Sequence, residues 1–182
     1  AGHTHDTLYY TKAQVDSLVS TLRARIQALE DKLANVTKTG NDMIISGVNV
    51  HIVNGTGTTD GTVNRLGNLI VGYNELRGSG DDRGGSHNIV VGSRHNFTSY
   101  GGLVAGYQNT ISNAYASVSG GSSNTASGHS ASVSGGYANL ATNYYASVSG
   151  GSSNTASGER SSVSGGSINQ ASGDFSSISG GS

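Results

Sequence analysis

The chain has 182 residues, a net charge of −1, 29 glycines and no cysteine, proline or tryptophan. With so few charges it has no basic stripe to neutralise phosphates, which excludes a nucleic-acid partner, and without cysteine it has neither disulfides nor thiolate metal ligands. No run of about eighteen apolar residues occurs, so no membrane contact is expected of it, and two phenylalanines leave little bulk for a thick core.

Residues 1–10 read as a flexible leader, in which His3 and His5 could hold only an adventitious metal ion. Thr11 with Gln14 three positions on predicts a capping box. Apolar residues then fall at Val15, Val19, Leu22, Ile26, Leu29, Leu33 and Val36, with spacings of four and three in alternation. That is a heptad seam. With Val19, Ile26 and Leu33 at a, and Val15, Leu22, Leu29 and Val36 at d, Arg25 stands at g and Glu30 at the following e, where an interchain ion pair can form. Residues 11–37 are predicted as a coiled coil. Leu at d with Val or Ile at a also suits dimers, but Arg25-Ile26-Gln27-Ala28-Leu29-Glu30 resembles the R-h-x-x-h-E pattern of three-stranded coiled coils, which implies a homotrimer.

Residues 38–66 form a β-rich connector in which Ile44, Val48, Val50 and Ile52 alternate as one or two short strands. Asn54-Gly55, Thr56-Gly57 and Asp60-Gly61 then punctuate a turn-rich stretch.

From residue 67 to 182 the chain reads as a stack of coils. Segments 68–74, 88–96 and 102–109 each offer an apolar strand, a glycine and an asparagine. Gly72, Gly92, Gly106 and Gly121 are separated by twenty, fourteen and fifteen residues, and the excess in the first interval maps onto a charged, glycine-rich loop at 75–85. Insertions in solenoids lie on one face and often bind, which makes Asp81, Asp82 and Arg83 candidate surface residues.

Beyond this, Val118, Val133, Val148, Val163 and Ile178 recur every fifteen residues, and so do Asn109, Asn124, Asn139, Asn154 and Asn169. A fixed period of this length means a solenoid. Each coil holds a strand near Ser117 and a second near Thr125, with corners at Gly120-Gly121 and Gly128. The valines and Ile178, with Ala126, Ala141, Ala156 and Ala171, form the predicted inward ladder. The asparagines are predicted to bond along their own ladder or to cap turns. One valine and one alanine per coil bury little against fifteen ordered residues, so three chains sharing a face would supply the missing burial. Tyr115, Tyr144, Tyr145 and Phe175 share similar phases and, with Tyr137, are candidates for a surface that takes a sugar or protein partner.

No catalytic, cofactor-binding or metal-binding residues can be nominated. Asp81-Asp82 lack calcium-loop spacing, and no Ser, His and acid constellation or paired carboxylates stand out, so a non-enzyme is expected. An ice-binding solenoid would show a ladder of Thr-x-Thr, and here that ladder is serine.

From Asn68 onward the residues resemble the head of trimeric autotransporter adhesins, the YadA-like left-handed parallel β-roll. The resemblance rests on a small-residue strand ending in glycine, Ser117-Val118-Ser119-Gly120-Gly121, alternating with Ala126-Ser127-Gly128. It implies a trimeric, all-β roll behind an α-helical coiled coil, displayed on a bacterial outer membrane through a C-terminal anchor that is missing here, and binding host or environmental ligands in adhesion and virulence. Departures are the fifteen-residue period, where the family more usually has about fourteen, and a coiled coil that precedes the head. Gly2-His3-Thr4-His5-Asp6 with Tyr9-Tyr10-Thr11-Lys12 also resembles linkers of phage tail fibres, and the alternative location is the phage virion. The pattern stops in mid-coil at Gly181-Ser182, which predicts a piece of a longer fibre.

Overall fold

The computed structural model describes residues 9–182, so His3 and His5 lie outside the described residues. The chain divides into two units, one ending at Val50 and the other running from His51.

In the first unit, α1 (Lys12–Leu33) starts at Thr11, whose side chain accepts from the Gln14 N–H while its own N–H donates to Gln14 Oε1 at 2.8 Å. No residue of this helix is buried, and Leu22, Ile26, Leu29 and Leu33 are each more than half exposed. The helix ends sooner than the heptad spacing indicates. Val36, placed in the seam by its spacing, lies instead in β1 (Val36–Thr39), which pairs antiparallel with β2 (Asp42–Ile45). Gly40 is the first residue of the hairpin loop, at φ +58°, where a two-residue loop demands a positive angle. The β-branched residues Val36, Thr37 and Thr39 favour a strand once a partner is at hand, which local spacing cannot register. Val48, Val50 and Ile52 belong to no strand.

The second unit is a parallel β-solenoid. It opens with β3 (Leu69–Val71), β4 (Ile89–Ser93), β5 (Asn96–Phe97), β6 (Leu103–Tyr107) and β7 (Thr110–Ile111). The repeats follow as β8 (Ser117–Val118), β9 (Thr125–Ala126), β10 (Ser132–Val133), β11 (Leu140–Ala141), β12 (Ser147–Val148), β13 (Thr155–Ala156), β14 (Ser162–Val163), β15 (Gln170–Ala171) and β16 (Ser177–Ile178). β3 and the even-numbered strands from β4 on form an eight-stranded sheet, and the odd-numbered strands from β5 form a six-stranded one. Register aligns like with like: Val133 lies between Val118 and Val148, and Ala141 between Ala126 and Ala156. A third column of single bridges links Tyr107, Ser122, Tyr137, Ser152 and Ser167.

The interior consists of columns. Val118, Val133, Val148 and Val163 are at most 1% exposed, as are Ala126, Ala141, Ala156 and Ala171, while Ile178 is partly buried. Two further buried columns accompany them. Ala116, Ala131, Ala146 and Ser161 form one, in which the Ser161 hydroxyl donates to the Gly158 carbonyl. The asparagines form the other, with Asn109, Asn124, Asn139 and Asn154 at 0% exposure.

The asparagine column answers a backbone problem. Most N–H groups of a coil donate forward, as Ser117 does to the Ala131 carbonyl. The residue before each asparagine is left-handed, Ser123 at φ +59° for example, and its N–H turns back to the previous coil, to Tyr107. The asparagine N–H follows it backwards and would have no partner in the interior. It finds one in the asparagine of the previous coil, since the Asn139 N–H donates to Asn124 Oδ1 at 2.9 Å. Asn139 Nδ2 meanwhile donates to the carbonyls of Gly135 and Gly151.

Backbone closes on backbone at two glycines. Gly121 combines φ +77° with a neighbour that excludes a side chain, since a Cβ there would sit 2.2 Å from the Gly136 carbonyl oxygen. At Gly128 a Cβ would sit 1.9 Å from the Asn143 carbonyl oxygen, whereas asparagine holds the equivalent place at Asn113 and Asn143. The left-handed residue of that corner is Ser130.

Candidate functional site on the aromatic corner

The corner after each second strand carries two variable residues. The second of them is left-handed in every repeat, as at Tyr115, Ser130, Tyr145, Arg160 and Phe175. That conformation aligns these residues from coil to coil, because each N–H donates to the coil before, Tyr145 to the His129 carbonyl and Arg160 to that of Tyr144. The alignment brings side chains into a continuous ladder.

Tyr100 and Tyr115 meet edge to face with centroids 5.4 Å apart, and Tyr115 meets His129 at 5.5 Å. His129 stacks on Tyr144 at 5.6 Å, and Tyr145 lies beside both. The Arg160 guanidinium then sits between the Tyr145 and Phe175 rings, 5.3 Å from each centroid. Its Nη1 also pairs with Glu159 at 2.7 Å. Packed against one another, the rings are held in place while remaining open to solvent: Tyr115 is 46% exposed and Phe175 69%. Such rigid, amphipathic rings lose little entropy when a ligand covers them.

Of the candidate surface residues, Tyr115, Tyr144, Tyr145 and Phe175 thus share this corner. Tyr137 does not. It lies in the separate bridge column with Tyr107, over which Arg94 stacks at 5.9 Å. His129, Arg160 and Tyr100 complete the aromatic corner. For Arg160 the signal was its place fifteen residues from both Tyr145 and Phe175.

The loop residues have internal partners. Asp81 accepts from the Arg77 N–H and from Arg83 Nε, both at 2.9 Å. The Arg77 N–H, and after it the Arg83 guanidinium, hold the Asp81 carboxyl below the usual carboxylate range. Asp82 Oδ1 accepts from the Gly84 N–H. Arg83 also reaches the Asn74 carbonyl, so the charges at 81–83 close the loop on itself. At its far end the loop is tied to the coil, since the Phe97 N–H donates to the Asp82 carbonyl and the Gly85 N–H to that of Phe97. Beside it lies a cleft of about 270 Å³, lined by Arg65, Asn74 and Asp82 among others. Arg77 fastens the loop down, donating to the carbonyls of Arg94 and Asn109 and to the Thr110 hydroxyl.

Among the described residues no three His, Asp or Glu side chains are grouped so as to hold a metal ion. No described helix is long and apolar enough to cross a membrane. Comparison of the chain with protein-family models, curated proteins and solved structures returned no match.

Proposed function

We propose that this chain is a non-catalytic display module, the head or spacer of a trimeric, YadA-like fibre on a bacterial surface, with its aromatic corner as the contact surface for a host or environmental ligand. The observation that carries the adhesive reading is the ladder from Tyr100 to Phe175, a row of exposed rings and one sandwiched guanidinium on a backbone that repeats without interruption.

Two features support the trimer. The seam of α1 is uncovered along its whole length, and a helix in a protein draws most of its stability from packing its apolar face. The outward side of the first coils is apolar, with Leu69, Val71 and Ile89 each more than 40% exposed, where the repeats carry serine. Three copies in register through Val15, Val19, Leu22, Ile26, Leu29 and Leu33, with Arg25 meeting Glu30 of a neighbour, would cover both surfaces. The tail-fibre alternative rests on the leader's resemblance to phage linkers and uses the same architecture.

Analytical ultracentrifugation should give three times the chain mass, and Ile26→Asp should shift it to monomer. Binding to a glycan array and to immobilised matrix proteins should fall at least tenfold in a Tyr144→Ala/Tyr145→Ala variant with unchanged sedimentation. A native monomer would sink the trimer, and undiminished binding by the double variant would sink the role of the corner.

A further inference from the structure

At its base the buried asparagine column gives way to a different residue. Asn109, Asn124, Asn139, Asn154 and Asn169 each stand three residues after the corner glycine of their coil, but three residues after Gly92 stands His95. Its ring, 1% exposed, takes over both duties of the amide. Nε2 lies 3.1 Å from the Val91 carbonyl, four residues back, as Asn124 Nδ2 lies against the Gly120 carbonyl. Nδ1 lies 3.2 Å from the Asn109 N–H, where Asn109 Oδ1 meets the Asn124 N–H one coil later.

These partners dictate the tautomer. A carbonyl only accepts, so Nε2 carries the hydrogen, and the Asn109 N–H only donates, so Nδ1 must be bare. The amides of the other rungs cannot titrate. An imidazole can.

We propose that His95 makes one rung of the solenoid an acid-sensitive joint: protonation at Nδ1 would set two N–H donors against each other in a buried site and open the coil between β4 and β6, leaving the all-asparagine repeats closed.

The surroundings act in both directions. The backbone at Val91, Asn109 and Gly106 favours a positive charge on the ring, and the guanidinium of Arg77, from the 75–81 loop, disfavours it. β6 contributes no charged side chain, Arg94, its neighbour in the chain, is turned out over Tyr107, Glu75 is exposed, and Asp81 is committed to Arg83. Burial outweighs the rest and pushes the His95 pKa below that of an ordinary histidine. With the folded pKa lowered, the stability tied to the neutral ring is complete above the unfolded value of about 6.5 and is lost progressively as pH falls below it. Acid would therefore act at the coil that also anchors Arg77, whose guanidinium bonds the Asn109 carbonyl.

Amide hydrogen exchange, corrected for intrinsic rates, tests the proposal between pH 7.5 and 5.0 on the whole chain. Opening at the Asn109 amide is expected to rise about tenfold per pH unit below about 6.5, while that at Asn139 stays flat. His95→Asn, which restores the residue used by the other rungs, should remove the pH dependence at Asn109 without raising exchange at pH 7.5. His87→Gln, which alters a second imidazole held between the Asn54 N–H and the Thr59 carbonyl, should leave it in place. The joint is refuted if Asn109 exchange is pH-independent, if His95→Asn retains the dependence, or if His95→Asn fails to fold.

Discussion

At the base of the solenoid, Phe97 and Ile111 fill the column that Ala126, Ala141, Ala156 and Ala171 fill in the repeats, and His95 fills a place that asparagine holds elsewhere. The strands nonetheless stay in register from coil to coil. The added bulk is accommodated within the same layer, since Gly102 replaces the alanine of the neighbouring column and a Cβ there would meet the Ile111 side chain at 2.6 Å. What a coil demands is therefore a set of roles: an apolar plug, an amide-like bridge, a left-handed corner and a place where two backbones touch. The repeats meet those roles with the smallest residues that suffice. The base coils meet them with larger ones and add a strapped loop. Buried apolar area per coil is accordingly greater at the base, and sensitivity to single substitutions should differ between the two regions.

The largest effect should come where one coil leaves no room between two backbones. Gly128→Val forces a side chain against the Asn143 backbone and should cost more than about 4 kcal/mol, read as loss of the cooperative thermal transition. Gly135→Ala is its control, because that position has open space and no positive φ, and a shift beyond about 0.5 kcal/mol would mean the columns are misassigned. Next comes Phe97→Ala, expected to lose about 3–5 kcal/mol in urea titration through the cavity it leaves. An equal loss from Val133→Ala would erase the distinction between base and repeats, since that smaller truncation should cost about 1–3 kcal/mol. Asn139→Ala orphans the Asn154 N–H in the interior and should cost about 1–3 kcal/mol, with hydrogen exchange accelerated first at Asn154. Arg77→Ala removes three hydrogen bonds across the base and should cost about 1–2 kcal/mol while leaving exchange in the repeats unchanged.

The solenoid was legible because its signal is self-similarity: a fifteen-residue period in Val, Ala, Asn and Gly has no other compact realisation. The aromatic corner was half legible. Tyr115, Tyr145 and Phe175 share a phase, but that Tyr144 and His129 stack from the adjacent position depends on the left-handed turn, and nothing in Ser130, Tyr145 or Arg160 as residue types announces φ > 0. Asp81 and Arg83 looked like a free charged surface because a sequence lists charges without their partners. His95 was hidden by its neighbour. Asn96 draws the eye as the asparagine of its segment, yet register against Thr110 puts it in the second sheet and His95 in the ladder.

By itself the sequence determined the period, the residue classes of the inward columns and the place where the helix begins, because these follow from spacing and from capping chemistry within a few residues. Where the helix stops was decided only by tertiary structure, since Val36 finds a strand partner in Ile45 that heptad spacing cannot see. Tertiary structure alone also decided the direction of each peptide at the corners. A left-handed residue turns its N–H to the coil before it, and that reversal makes asparagine necessary inside and brings the rings together outside. The cause is a hydrogen-bond requirement between residues about fifteen apart, met only once the coils are stacked.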